Sequence, residues 1–249
     1  MSSPFKKNAL WHQAHSNPSF PHSQDLSKEV TIIINEELPD LTATYHVPQD
    51  FLTETSEFFQ AACRNEWKEA KSRLVKLPDV EPEIFNSYLF WVYRGTLLIR
   101  NEWIFGDVNW EDDAHHVQSS LVKLWILADR LADAQLRNTV VDEMVTATGR
   151  LGVKSDFVLF PPEVTVFAWS ATTAGRSLRR LILDYYVFYV LTKDVEKDVD
   201  EHHPEFVKDL MLASLRMVDS RCSIWKTPLE KAGCHYHEHD DGAPERDCP

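Results

Sequence analysis

The densest run of metal-ligating side chains in this 249-residue chain is near its end: Cys234-His235-Tyr236-His237-Glu238-His239, with Cys248 further on. Thiolate and imidazole are soft and borderline donors, the kind that zinc or copper takes. The spacing matches none of the standard tetrahedral ligand patterns, and a tail with little apolar content must draw its whole ordering cost from the metal. The tract therefore reads as solvated, with no metal assigned. His115-His116 behind Asp112-Asp113 is similarly dense, but it lies in an acidic stretch and is also read as solvated. Arg176, Arg179 and Arg180 gather at the start of a helical pattern whose other face is Leu178, Leu181, Ile182 and Tyr185. In an acidic chain such a cluster serves intramolecular ion pairs rather than a phosphate.

Catalytic patterns are absent from the sequence. It contains no Gly-x-Ser-x-Gly, no His-Glu-x-x-His, no P-loop and no Gly-x-Gly-x-x-Gly. Scattered Ser, His and Asp residues nominate no triad, because triads are defined by geometry and not by order along the chain. No catalytic residue, cofactor-binding residue or cofactor is assigned. The remaining candidate is Trp67-Lys68-Glu69: an aromatic anchor with a carboxylate to fix register has the makings of a small protein–protein hot spot. The competing reading packs Trp67 on its own domain and leaves Glu69 in water.

The elements that would position these groups are legible from composition and period. With 43% hydrophobic and 11% aromatic residues, the chain can bury a core. Only 7 residues are glycine, about half the usual share, which disfavours phosphate-cradling loops and hairpin-rich all-β folds. Lys and Arg number 26 against 39 Asp and Glu, a net charge of −13 that repels nucleic acid. Cys63, Cys222, Cys234 and Cys248 form no disulfide framework, and no stretch has the length and apolarity of a signal or a membrane span. The expected setting is the cytoplasm or nucleus, away from membranes.

Residues 1–27 read as a mobile arm. Val30–Ile34, Leu41–Val47 and Arg73–Leu77 read as short strands, bounded by charge or proline. Pro48 opens a helix that runs to about Asn65 with Leu52, Phe59 and Ala62 on its buried face; Pro82 opens another that carries Phe85, Tyr88, Leu89 and Val92 inward and stops at Gly95. Arg100 to His116 reads as a surface excursion. Two helices follow, marked by Leu121, Leu124, Ala128 and Leu131 and then by Leu136, Val140 and Met144. Three more begin at Pro161-Pro162, Ser177 and Pro204, without further strands. The tail over 227–249 is acidic, His-rich and expected to be disordered.

Six pieces stand in order over residues 28–150: Val30–Ile34; Tyr45-His46; Phe51-Leu52 with Ser56-Glu57-Phe58-Phe59; Val75-Lys76-Leu77-Pro78-Asp79 with Glu83-Ile84-Phe85; Trp91-Val92-Tyr93-Arg94-Gly95; and Leu127-Ala128-Asp129-Arg130-Leu131. The series resembles a BTB/POZ domain of the kind found in fungal proteins, and the helices over 151–226 resemble the region that often follows it. The resemblance implies an α+β interaction module without a catalytic centre, followed by an all-helical region. It implies a homodimer built around the first helix and the N-terminal segment. It also implies presentation of a client protein, unnamed by the sequence, to a cullin-type ubiquitin ligase. Trp67 and Glu69 resemble the hydrophobic-x-Glu element through which such proteins contact the cullin scaffold. The alternatives are a dimeric scaffold in transcriptional regulation and an enzyme whose site is invisible in sequence. One departure from the family is that the charge pair it places in the dimer groove falls on Glu29 and Val47, so Glu29 is expected to be exposed or paired elsewhere.

Overall fold

The computed structural model describes residues 28–36, 42–64, 72–97, 110–152, 160–189, 195–219, 227–231 and 234–239. The expected arm over 1–27 lies outside them. The β-branched run forms β1 (Glu29–Ile34) at the centre of a three-stranded sheet. β2 (Ala43–Pro48) pairs with it antiparallel, Val30 opposite Val47, and β3 (Leu74–Leu77) lies parallel on its other side, Ile32 beside Val75. The period of two turns Val30, Ile32 and Ile34 into the core with Val47, Val75 and Leu77. Glu29, at the first register position, is exposed, as expected, and Val47 is buried.

The single helix expected from Pro48 is divided. α1 (Gln49–Thr55) stops at Ser56, whose backbone is extended and whose hydroxyl oxygen accepts the Phe59 N–H at 3.1 Å, capping α2 (Glu57–Ala62). α3 (Pro82–Arg94) starts on proline and ends where Gly95, at φ 65°, donates its N–H to the Trp91 carbonyl at 2.7 Å. α4 (Trp110–Arg130) begins well before Leu121. Residues 110–116 are therefore helix rather than excursion. α5 (Ala134–Gly152), α6 (Pro162–Ala171), α7 (Ser177–Tyr189), a 3₁₀ turn (Val199–Glu201), α8 (Pro204–Asp219) and the short α9 (Pro228–Lys231) complete a mixed α+β architecture. Among the described residues, all strands precede α4.

Hydrophobic contact is continuous from Val30 to Tyr236. α4 packs on α3, α5 and α6, and α7 packs on α5, α6 and α8, so the regions over 28–150 and 151–226 share one core. Phe59, Phe85, Val92, Leu124, Ala128 and Leu131 are buried together, with Leu89 only partly so. Phe85 lies 4.8 Å from the Tyr45 ring and 5.8 Å from Tyr88.

The disordered tail is corrected over residues 227–231 and 234–239. Tyr236 is fully buried and donates its hydroxyl to Asp184 Oδ2 at 2.7 Å, and Lys231 Nζ reaches the same oxygen at 2.8 Å. One aromatic ring and a set of opposite charges fasten a segment whose mean polarity argues against order.

Phe85→Ala is expected to cost roughly 3–5 kcal/mol of stability in chemical denaturation, because the ring is fully buried between Tyr45 and Tyr88 and leaves a cavity behind.

Candidate functional site

Buried polar groups gather first at the joint between α1 and α2, which sits against the turn joining α4 to α5. Ser56 donates its hydroxyl to the Leu131 carbonyl at 2.6 Å. Asp133, itself buried, accepts the Leu136 N–H on Oδ1 at 2.8 Å, capping α5, and the Trp91 Nε1–H on Oδ2 at 3.1 Å. Burial raises the Asp133 carboxyl above the usual range against the pull of these bonds, and burial likewise disfavours ionisation of the Tyr88 phenol. Ser56 and Asp133 are satisfied from within the fold and hold backbone in place, whereas the buried Tyr88 hydroxyl has no hydrogen-bond partner among the described residues.

A second polar knot joins α6, α7 and α8. The buried Arg179 donates to the Trp169 carbonyl at 2.7 Å and to the Thr172 carbonyl, and pairs with Glu205 at 3.1 Å. His202 Nδ1 is 2.8 Å from Thr165 Oγ1, and burial lowers its proton affinity although Asp198 pulls the other way. Arg176 pairs with Asp129 and with Glu238. Two of the three clustered arginines thus serve internal ion pairs, as expected, while Arg180 is exposed.

The tail brings together what the sequence left apart. Glu238 accepts the Ser177 N–H at 2.9 Å and its backbone exchanges hydrogen bonds with the Asn138 side chain. That clamp sets the flanking residues, so that Cys234, His237 and His239 place one ligand atom each within 4.8 Å of one another. Cys234 is disulfide-bonded, and Cys63 is free. His115 and His116, by contrast, lie on α4, away from this cluster.

Trp67 and Glu69 lie outside the described residues. Other surfaces stand out that sequence reading did not single out. Met211, Leu215 and Val218 recur at helical spacing on α8 and are 55%, 52% and 74% exposed. Phe167 and Val166 are exposed on α6, beside an open groove of about 440 Å³ lined also by Pro162, Glu163, Ser170 and Glu201. A smaller cavity of about 110 Å³ lies between Asp79, Glu81, Lys123 and Arg130. None of Asp133, Tyr88, Tyr186, His202 and Tyr236, whose pKa values burial shifts, lines either one. No described helix is long and apolar enough to cross a membrane. Neither a protein-family model nor a curated relative matches the sequence.

His202 gives a pH signature. Its proton affinity is lowered in the native state, so the unfolded chain takes up the proton first, near the ordinary histidine value of about 6.5. The stability that neutral His202 contributes is present above that value and is lost as the pH falls through it. Denaturation midpoints are expected to fall more steeply on acidification from about pH 7.5 to 5.5 in the wild type than in His202→Gln, which does not titrate there.

Proposed function

We propose that the protein is a non-enzymatic, self-associating interaction module of the BTB/POZ kind, an α+β domain with a helical region packed on it, acting as an adaptor. The observation that carries self-association is the exposed row Met211, Leu215 and Val218 on α8. A helix face of this kind is self-complementary about a two-fold axis, because each copy offers the same apolar row to the other. Desolvating three large side chains that the fold leaves in water is the driving term. The resemblance alone places the seam at the first helix and the N-terminal segment; of these, α1 buries Leu52 and lays Phe51 edge-on to Tyr93 at 4.9 Å, so its apolar groups are already engaged within the fold. The adaptor role rests on Trp67-Lys68-Glu69 in the sequence, where the resemblance assigns the contact with a cullin scaffold. The alternative of a catalytic protein gains no support from cavities that none of the burial-shifted groups lines.

Sedimentation equilibrium at micromolar concentration is expected to give a mass above the 28.8 kDa of one chain, and the double variant Met211→Glu/Leu215→Glu is expected to sediment as a monomer. Both positions are exposed, so the melting temperature should stay within the range of ordinary surface changes, about 0.5 kcal/mol each. A monomeric wild type defeats self-association; a dimer that survives the double variant moves the seam off α8.

For the adaptor role, Trp67→Ala is expected to weaken co-purification of a cullin scaffold by about thirtyfold, or 2 kcal/mol, while Lys68→Ala leaves it nearly intact. Thermal melting is the control, since a Trp67 that belonged to the domain's own core would lower the melting temperature by several degrees. Equal binding by a normally folded Trp67→Ala removes the adaptor role and leaves the dimeric scaffold.

A further inference from the structure

We propose that Cys234, His237 and His239 form a zinc site that fastens the C-terminal tail to α5 and α7 when the Cys234 disulfide is reduced. Three features of the cluster point to a metal. First, the three side chains come from one short segment and aim their ligand atoms into a common space, all within 4.8 Å of one another. Tetrahedral zinc, with Zn–S of about 2.3 Å and Zn–N of about 2.0 Å, holds its ligand atoms roughly 3.5 Å apart, so side-chain torsions need close the cluster by only about an ångström.

Second, His237 already has the outer partner of a metal-bound imidazole. Its Nε2 lies 2.8 Å from Asp142 Oδ1 on α5 and the ring is buried, so the carboxylate fixes the ring and the tautomer. Because Asp142 takes Nε2, Nδ1 is the ligand nitrogen. Third, the Nε2 of His239 is buried without a hydrogen-bond partner among the described residues. A buried imidazole nitrogen left so loses the water it would otherwise bind, and a cation in the cluster would satisfy it. Glu238, between the two histidines, points the other way: it is held by Arg176 and by the Ser177 N–H, and its carboxylate is no part of the site.

Zinc is favoured over harder cations by the sulfur and imidazole donors. A cysteine ligates only as thiolate, so disulfide and zinc exclude one another at Cys234. The exchange balances as follows. Two molecules of a small thiol deliver two electrons and two protons to the disulfide and leave as their own disulfide, freeing two cysteine thiols. Zinc then displaces the Cys234 thiol proton and is held by Cys234, His237 and His239, with water in the fourth position of the tetrahedron. The tail thereby has two closed forms, one covalent and oxidised, one metal-bound and reduced.

The test is made on the full chain, reduced with a phosphine, exposed to zinc alone and freed of excess ion, with metal read by elemental analysis. One zinc per chain is expected. At a chelator concentration that leaves the wild type loaded, occupancy should fall at least about tenfold in His239→Ala and in Cys234→Ser, and stay unchanged in His235→Ala, whose side chain lies outside the cluster. Circular dichroism checks that each variant is folded. Should a ligand variant unfold, the cobalt(II) spectrum of the wild type decides alone: intense tetrahedral bands with thiolate charge transfer support the site, and a weak octahedral spectrum overturns it. A reduced wild type that keeps no zinc, or a His235→Ala variant that loses as much as His239→Ala, also overturns it.

Discussion

The position of every element after α4 depends on the three residues that turn it into α5. Ala132 sits at φ 51°, in the left-handed region where an alanine is strained by about 1–2 kcal/mol. Its neighbours hold it there: Asp133 caps α5 through Leu136 and takes the indole proton of Trp91 from α3, while the Leu131 carbonyl accepts the Ser56 hydroxyl from the joint of α1 and α2. Five helices, and the break between two of them, are thus tied by bonds made in a space from which water is excluded. Burial raises the Asp133 carboxyl because its charge is costly there, and each bond donated to it offsets part of that cost. Such a network specifies the turn as much as it stabilises it, since any other path for the chain would strand a buried carboxylate.

Once α5 is aimed, charge does what apolar area cannot. Arg137 on α5 pairs with Asp129 at the end of α4, Arg176 pairs with the same carboxylate, and Glu238 reaches both arginines. Shared partners lower the entropy cost per pair, because a side chain already fixed by one ion pair enters the next at less expense. This four-membered set explains how a polar tail docks without a hydrophobic stripe: Tyr236 supplies the buried area, and the charges supply the register.

Legibility in the sequence followed the length of the physical signal. Period-two and period-3.6 patterns with proline and glycine at their ends placed β1 to β3, α3 and the helices after α4, because each signal lies inside the element it describes. The division of α1 from α2 was hidden, since Ser56 breaks the helix only by bonding to Leu131, a partner 75 positions away. The start of α4 was misplaced because carboxylates suit both a solvated loop and a helix N-terminus. The tail was misread for the same reason on a larger scale: its order comes from Asp142, Asp184 and Arg176, none of them local, and its ligand spacing became meaningful only when Glu238 was seen to be clamped between the histidines.

Polar and apolar groups are divided unevenly between the interior and the surface among the described residues. Of the titratable groups that burial shifts, Asp133 is bound to a backbone N–H and a ring nitrogen and His202 to a hydroxyl, and neither lines the groove beside Phe167 or the cavity beside Lys123. What the surface offers instead is apolar area that the fold does not use, at Met211, Leu215 and Val218 and again at Phe167. Single exposed hydrophobics are ordinary, but a row at one helix's own spacing is a surface whose desolvation requires another molecule. The helix that displays this row is held against α6 and α7 by the buried Arg179, which pairs with Glu205 and donates to the Trp169 carbonyl.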